Sequence, residues 1–232
     1  GVTVARTLTL GGTDVSGSAI TGIIVDNSPG TGGVINLAKA DAGTWTLSGA
    51  NTFSGQVQIN AGTLVVSDIA DIGTASHLGT GAANSVVRIG NANVGGTLRI
   101  EGGGGSTNRQ VQIGNGTSAN HAGGTNIDHF ATGEVTFSAP VFNAAQTGAI
   151  VTRNLVLGGD GSGGGFITGA IVDNNTAGGG VVNVVKADGG LWKLSGENTF
   201  TGRVTVQAGT LDVTKFSDLG TAGSLGNGAG DG

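Results

Sequence analysis

Two groups of side chains in this sequence have types and spacings that could support chemistry. His121, Asp128 and His129 fall within nine consecutive positions. Histidine nitrogens and a carboxylate can hold a metal ion when at least three ligands converge. Asp68 and Asp71 are the nearest pair of carboxylates, and glycoside hydrolysis requires such a pair. The competing interpretation for each group is a set of solvent-exposed side chains.

A long internal repeat helps to decide between these interpretations. Residues 153–228 repeat residues 6–81 at an offset of 147 (153 − 6), and 42 of the 76 aligned positions are identical without a gap. In the second copy Asp68 becomes Lys215 and His77 becomes Ser224, and neither substitution suits a shared active site. His121, Asp128 and His129 have no counterpart and are interpreted as exposed loop residues. We therefore predict no catalytic residue, no metal ligand and no cofactor.

Motifs for other chemistries are missing or stand in the wrong context. The chain has no cysteine, no G-x-S-x-G and no Gly-Lys dipeptide, which excludes thiol chemistry, a nucleophile elbow and a P-loop. Residues 159–164 match G-x-G-x-x-G, but a β-like run starting at Phe166 follows them, whereas a dinucleotide site requires a helix.

Composition excludes further classes of function. Charged residues are only 11% of the chain, the net charge is −5 and no basic run occurs, so we predict no nucleic-acid partner. No stretch approaches 18 apolar residues, so we predict no membrane span in this segment. Glycine contributes 49 residues and proline 2, which argues against collagen and against a proline-rich linker.

Short strands closed by Gly, Asn or Asp recur along the chain, and helical periodicity is missing. The pattern predicts an all-β solenoid, a parallel β-helix with roughly 20-residue rungs, hence about eleven rungs and a rod of about 50 Å. The Gly-rich stretches Gly102–Gly105 and Gly158–Gly165 are predicted to be loops that leave the coil. The strands predicted are Thr7–Leu10, Ile23–Val25, Val34–Leu37, Trp45–Leu47, Gln56–Ile59, Thr63–Val66, Val86–Ile89, Thr97–Ile100, Gln110–Ile113, Val135–Phe137 and Leu155–Leu157.

The repeat also predicts the domain organisation. Residues 1–147 would form a first long unit and residues 148–232 a partial second copy, joined in one continuous solenoid. The array is expected to extend beyond both ends of this sequence.

Polar and aromatic residues that recur at the same place in both copies are expected to serve the coil. The recurring charged residues are predicted to form short-range ion pairs or to cap corners, with a surface glycan contact as the alternative. The recurring asparagines are predicted to bond corner backbone, and the tryptophans to plug the core, with sugar stacking as the alternative. The charged positions are Asp26, Lys39 and Asp41 with Asp173, Lys186 and Asp188, and the others are Asn51 with Asn198 and Trp45 with Trp192.

Two stretches of about two dozen residues resemble a known repeat. Gly43–Val66 includes Leu47-Ser48-Gly49-Ala50-Asn51-Thr52-Phe53 and Ala61-Gly62-Thr63-Leu64, and Gly190–Val213 matches it equally well. Both stretches resemble the autotransporter-associated β-strand repeat, also called the passenger-associated transport repeat, of type V secretion. That resemblance implies a right-handed parallel β-helix in a secreted bacterial passenger region, with a C-terminal β-barrel translocator in the full precursor.

The resemblance and the repeat together predict a function outside the cell. We expect a structural or adhesive segment, a rod-like stalk, fibre or matrix block, at the bacterial surface or in the extracellular space. Its expected partners are neighbouring repeats of the same protein, including head-to-tail self-assembly through unpaired strand edges, and a glycan or cell-surface ligand. The alternatives are a specific glycan-binding adhesin and, less favoured, a polysaccharide-degrading enzyme on the same scaffold; we predict that the chain is not an enzyme.

Overall fold

A computed structural model describes residues 4–27, 32–91, 94–114, 124–144, 151–174, 180–218 and 220–228. That part of the chain contains nineteen β-strands and no helix, and hence no helix that could cross a membrane. In chain order the strands are β1 (Arg6–Leu10), β2 (Ser18–Ile20), β3 (Ile35–Lys39), β4 (Thr44–Leu47), β5 (Val57–Ile59), β6 (Gly62–Ile69), β7 (Val87–Ile89), β8 (Gly96–Thr107), β9 (Val111–Ile113), β10 (Thr125–His129), β11 (Val135–Phe137), β12 (Val141–Asn143), β13 (Val151–Gly158), β14 (Gly165–Ile167), β15 (Ile171–Val172), β16 (Gly180–Lys186), β17 (Leu191–Leu194), β18 (Val204–Val206) and β19 (Thr210–Val213).

Parallel pairing arranges these strands in three columns. The first column is a seven-stranded sheet in the order β1, β3, β5, β7, β9, β12, β15. The second column contains β2, β4, β6, the first half of β8, and then β10, β13, β16 and β18. The third column contains the second half of β8, then β11, β14, β17 and β19. The chain passes through the columns repeatedly in this order, which confirms the parallel β-helix.

The turns of this coil are mostly longer than the sequence suggests. In the first column Leu37 pairs with Val57, at an offset of 20 (57 − 37). Val57 pairs with Val87, however, and Val111 with Val141, each at an offset of 30 (87 − 57 and 141 − 111). The predicted 20-residue rung is therefore the shortest in this column. Because the corner segments are long, the first column has seven strands where about eleven rungs were expected.

The core consists of apolar side chains stacked directly above one another. On one inward row of the first column every residue is aliphatic, and each contacts the equivalent residue of the next turn. Burying such a side chain stabilises a fold by about 1.5–3 kcal/mol, so the row is a main source of stability. Its members are Leu8, Leu37, Val57, Val87, Val111, Val141 and Ile171.

The prediction of a loop at Gly102–Gly105 is wrong. These glycines lie inside β8, and Gly105 pairs with Ile69 on one side and Val135 on the other. The strand bends here from the second column to the third, and Gly104 and Gly105 have φ of 79° and 130°, which L side chains rarely adopt. In the second Gly-rich stretch the loop is confined to residues 159–164, because Gly158 ends β13 and Gly165 begins β14.

One predicted strand is also absent. Residues Ile23–Val25 form no strand, although the carbonyl oxygen of Ile24 accepts hydrogen bonds from the backbone N–H groups of Thr52 and Phe53 in the next turn. The segment is therefore a hydrogen-bonded corner on the third side of the coil. The remaining predicted strands are present, with bounds that differ by a few residues.

Candidate functional site

A buried lysine in each copy binds the carbonyl oxygens of two successive turns. Lys39 is 0% exposed, and its Nζ donates to the carbonyl oxygens of Ala40, of Asp41 at 2.8 Å and of Ala61 at 3.1 Å. Lys186 repeats this with Ala187, Asp188 and Ala208. Burial lowers the pKa of both ammonium groups, and the nearby Asp41 and Asp188 oppose that change. The predicted role in capping corners is confirmed for these lysines.

The recurring aspartates and asparagines also bond backbone groups at corners. Asp26 accepts hydrogen bonds from the Ile35 N–H at 2.8 Å and from the N–H and hydroxyl of Ser54, one turn away. Asp173 makes the same bonds to Val182 and Thr201. Asp41 and Asp188 accept the N–H groups of Gly12 and Gly159, respectively. These carboxylates therefore cap backbone N–H groups at the corners of the coil.

Each recurring asparagine joins three turns. Asn198 is buried, its Oδ1 accepts the N–H of Ile171 at 2.7 Å, and its Nδ2 donates to the carbonyl oxygen of Ser224 at 2.8 Å. Asn51 does the same with Ile24 and His77. The predicted bonding of asparagine to corner backbone is confirmed.

Both tryptophans donate a hydrogen bond to a glycine carbonyl oxygen of the preceding turn, and Trp192 lies fully in the core. Trp192 is 0% exposed, and its indole N–H donates to the carbonyl oxygen of Gly158 at 2.9 Å. Trp45 makes the same bond to Gly11 at 2.8 Å but is only partly buried. Trp192 also meets His129 edge to face, with ring centroids 6.5 Å apart. Its ring is therefore closed to a ligand.

The predicted carboxylate pair is held by local structure. Asp68 Oδ1 accepts the N–H of His77 at 3.1 Å, and Asp71 Oδ1 accepts the N–H of Asn108 at 2.8 Å. His77 Nδ1 in turn accepts the N–H of Ser67 at 2.9 Å. Each side chain thus caps a different backbone group, and nothing in this arrangement directs the two carboxylates at one reacting atom.

Only part of the candidate metal cluster falls within the described residues. His121 lies outside the described residues, and no group of three metal-binding side chains occurs among the residues that are described. The prediction that Asp128 and His129 are exposed loop residues is wrong, because both lie in β10. His129 is 1% exposed, and its Nε2 lies 3.0 Å from the Gly133 carbonyl oxygen. Strand alternation turns His129 into the core, where it packs against Trp192.

Asp128 lies in a charged cluster that the sequence did not indicate. Its Oδ2 is 3.6 Å from Arg99 Nη2, and its Oδ1 and Asp188 Oδ2 lie 2.6 and 2.9 Å from the point where a Cβ on Gly158 would be. Burial raises the pKa of the Asp128 carboxyl, Arg99 opposes the rise and Asp188 adds to it. Only a residue without a side chain fits between the two carboxylates, which accounts for Gly158.

Two arginines are buried in the structure, and the sequence pattern did not indicate this. Arg109 is 1% exposed, donates from Nη1 to the Leu78 carbonyl oxygen at 2.6 Å and from Nε to that of Ser85 at 3.2 Å, and burial lowers its pKa to about 10. Arg153 is 1% exposed and its Nη1 donates to Asn143 Oδ1. Arginine is rarely fully buried, so sequence offered no signal for either.

The first described turn, residues 4–27, is less covered than its counterpart in the second copy. Its β1 and β2 each pair with one described strand only, and Val15 and Ile23 are 76% and 61% exposed. In the second copy the counterpart of this turn is covered: Arg6 is exposed but Arg153 is buried, and Leu8 is partly exposed but Leu155 is 0% exposed. The same sequence pattern therefore becomes buried once another turn packs on it.

Two cavities adjoin the corner that contains Asp26 in the first copy and Asp173 in the second. One of about 540 Å³ is lined by Val25, Asp26, Gly32, Gly33, Val34, Thr52 and Ser54. The other, of about 310 Å³, is lined by Gln110, Pro140, Phe142, Val172, Asp173 and Asn174. Asp26 and Asp173, which are counterparts in the repeat, contribute to one cavity each. The carboxylates of Asp26 and Asp173 are already hydrogen-bonded to backbone N–H groups and to hydroxyl groups.

Comparison with known proteins gives a consistent result. The family described as Passenger-associated-transport-repeat matches residues 37–66 and 184–213. A relative named Adhesin BmaC autotransporter, from Brucella suis biovar 1 (strain 1330), is 35% identical over 229 residues, which are 95% of this chain and 6% of that protein. The chain thus spans a small fraction of the relative it matches. No solved structure matches the chain.

The matched segments lie within the parts of the coil that recur. Each contains a capping lysine, an asparagine that joins three turns and a tryptophan bonded to a glycine carbonyl. Family and relative both place such sequence in the exported passenger of an autotransporter, outside the cell or at its surface. The chain contains two passenger-associated transport repeats, at residues 37–66 and 184–213, and is similar to a segment of an autotransporter adhesin.

Proposed function

We propose that this chain is a structural and adhesive segment of an autotransporter passenger, a rod built from tandem units that holds adhesive surface away from the cell. The observation that carries the proposal is the burial of Arg153 and Leu155 in β13, which pairs with β10 on one side and with β16 on the other. A turn that is covered on both sides suits a chain built of stacked turns. The relative is named an adhesin, which supports an adhesive role for this chain.

Stacking would occur between strand edges at opposite ends of the coil. Among the described residues, β1 and β2 each leave one edge without a strand partner, as β18 and β19 do at the other end. Such edges offer backbone N–H and carbonyl groups to a parallel strand. Contact between opposite ends of identical chains is heterologous and extends into filaments when it does not close. The low charge, 11% of residues, offers little repulsion against such contact.

Sedimentation velocity and negative-stain microscopy of the chain test this proposal. We expect rods and concentration-dependent end-to-end association. Ile23→Lys should abolish the association because it places a charge on the exposed first turn, whereas Val94→Lys, at a 50% exposed position within the coil, should leave it intact. Dispersed globules, or equal association in both variants, would contradict the proposal.

Binding of a glycan is the second candidate function, and the 310 Å³ cavity is the observation that favours it. Phe142 and Pro140 provide an apolar surface and Gln110 an amide, a combination that can accept one face of a sugar ring and its hydroxyl groups. A glycan array probed with the chain and with Phe142→Ala tests it; signals that are equal for both would reject this cavity.

We propose further that the chain has no catalytic activity. The carboxylates of Asp26, Asp173, Asp41 and Asp188 all accept backbone N–H groups, which supports structural roles. Incubation with a panel of polysaccharides is expected to give no turnover, and turnover that disappears in Asp128→Ala or Glu134→Ala would reverse this conclusion.

A further inference from the structure

The sequence repeat and the turns of the coil are out of step. Leu8 and Leu155 are counterparts in the repeat, since 155 − 8 is 147. Leu8 lies in β1 of the first column, where it pairs with Leu37. Leu155 lies in β13 of the second column, where it pairs with Thr125 and Val184. Equivalent residues of the two copies therefore occupy different sides of the coil.

Two further pairs of counterparts show the same displacement. Ile20 pairs with Leu47 in the second column, whereas Ile167 pairs with Phe137 and Leu194 in the third. Ile24 lies in the corner between the second and first columns, whereas Ile171 lies in β15 of the first column itself. The three pairs come from three different sides of the coil, and each moves forward by one column.

The strand register gives the size of the displacement. From Leu8 the first column passes through Leu37, Val57, Val87 and Val111 to Val141, which is five turns. The chain then moves from β12 to β13, one column on, before it reaches Leu155. One 147-residue unit therefore advances the coil by five turns and one column of three, or about 28 residues per turn.

Hydrogen bonds at the corners accompany the displacement, so it involves whole units rather than single strands. Asp26 bonds Ile35 in the first column, and its counterpart Asp173 bonds Val182 in the second. Trp45 lies in β4 of the second column and Trp192 in β17 of the third, yet both donate to the glycine carbonyl 34 residues earlier. The local structure of each copy is retained while its place around the axis changes.

We infer that tandem units of this protein present the same surface on successive sides of the rod, and that a given side repeats it only at every third unit. The full period of the rod is therefore three repeat units rather than one. Asp26, which lines the 540 Å³ cavity, bonds the first column in the first unit, and its counterpart Asp173 bonds the second column in the next unit.

The consequence of the rotation for ligand binding rests on the proposed adhesive function. A rod whose units all faced one way could bind a ligand only along that side. A rod with a three-unit rotation offers its adhesive surface in every direction, whatever its orientation about its own axis. The partner that fits this arrangement is a small or flexible ligand engaged by single units, such as surface glycan chains, rather than a rigid lattice that must contact neighbouring units at once.

Distances between spin labels on outward-facing residues test the rotation. The chain has no cysteine, so pairs of introduced cysteines carry the labels. Thr9 and Val156 are counterparts in the two copies. Thr44 and Val156 lie on one outward row of the second column, through Thr63, Thr97 and Asn126, four turns apart. With a strand spacing of about 4.8 Å, four turns are about 19 Å and five turns about 24 Å.

We expect the Thr44→Cys/Val156→Cys pair to give a distance of about 19 Å, the length of four turns. The Thr9→Cys/Val156→Cys pair should give a distance clearly longer than the length of five turns, because its labels also lie on different sides of the coil. Thr9→Cys with Phe142→Cys, on one row of the first column and five turns apart, is the matched control and should give about 24 Å. A Thr9–Val156 distance equal to that of this control, together with a longer Thr44–Val156 distance, would overturn the inference.

If Val156→Cys fails to fold, Val185→Cys on the same row replaces it, one turn further along. The readout does not depend on adhesion or end-to-end association. If the proposed function fails, these distances are still expected. If instead the Thr9–Val156 distance equals that of the control, the rotation is rejected and the proposed function is unaffected.

Discussion

Lys39 Nζ lies 3.1 Å from the carbonyl oxygen of Ala61, a residue of the following turn. The same ammonium group donates to Ala40 and Asp41 in its own turn, so one buried side chain joins the corners of two turns. Lys39 is on the inward row of Leu10, Ile59, Ile89 and Ile113. At this row the core ends and the corner carbonyl groups begin.

Replacing Lys39 by methionine should destabilise the coil by about 2 kcal/mol, because the change leaves carbonyl oxygens buried without a donor. The fall in the urea midpoint measures this effect. Lys193→Met is the matched control: Lys193 is 34% exposed and pairs with Asp212 at 3.0 Å, and such pairs contribute about 0–1 kcal/mol. Equal midpoints for the two variants would show that the buried ammonium group is not needed.

Glycines stacked at one corner allow the turns to approach each other. A Cβ on Gly133 would lie 2.2 Å from the Gly103 carbonyl oxygen, whereas a Cβ on Gly103 would meet no atom within 4 Å. Gly133→Ala should therefore lower stability by about 2 kcal/mol or more through overpacking. Gly103→Ala, at the same corner one turn earlier, should change it by less than about 1 kcal/mol. Thermal unfolding of the two variants distinguishes these results, and similar melting temperatures would contradict the packing shown.

The strands and core could be predicted because their signal is local. In Val57–Ile59 apolar residues alternate with Gln58, and an inward-facing strand requires that alternation. Corner capping by Asn51 and Lys39 was predictable because the same residues recur in the second copy. Both features depend on residue type and short spacing.

What sequence could not predict depends on contacts between turns. Gly104 and Gly105 have the composition of a loop, yet their conformation and the adjacent turns require glycine within a strand. His129 and Arg109 are residue types that are mostly exposed or intermediate in proteins, and only the register of β8 and β10 shows that His129 faces the core. The column displacement depends on corner lengths, which no short pattern specifies.

Asn198 should be one of the least replaceable polar residues of the second copy. Asn198→Ala removes an acceptor for the Ile171 N–H and a donor to the Ser224 carbonyl oxygen, both in a buried corner. We expect a loss of about 2 kcal/mol and faster amide exchange at Ile171. Asn60→Ala is the control, since the Asn60 side chain bonds another side chain, that of Gln58, and its loss should cost less than about 1 kcal/mol. Unchanged exchange at Ile171 in the Asn198 variant would refute the role assigned to this residue.

Asp128 should make the stability of the coil depend on pH in a direction opposite to that of an ordinary paired carboxylate. Its pKa in the folded chain is raised above 3.8, first by burial and then by Asp188, with Arg99 opposing. The folded state therefore binds a proton more readily than the unfolded state, and stability from this group rises as the pH falls through the folded pKa towards 3.8. Asp128→Asn, which is neutral at every pH, lacks this contribution.

The urea midpoints of the original chain and Asp128→Asn should therefore differ in a pH-dependent way. At pH 7.5 the asparagine variant should be the more stable, since it avoids a buried charge beside Asp188. As the pH falls to 4, the original chain should gain stability relative to the variant. A difference between the original chain and Asp128→Asn that stays constant from pH 7.5 to 4 would mean that attraction to Arg99 cancels the effect of burial. A difference that moves the other way would mean that Arg99 outweighs burial and that the carboxylate stabilises the fold as an ion pair.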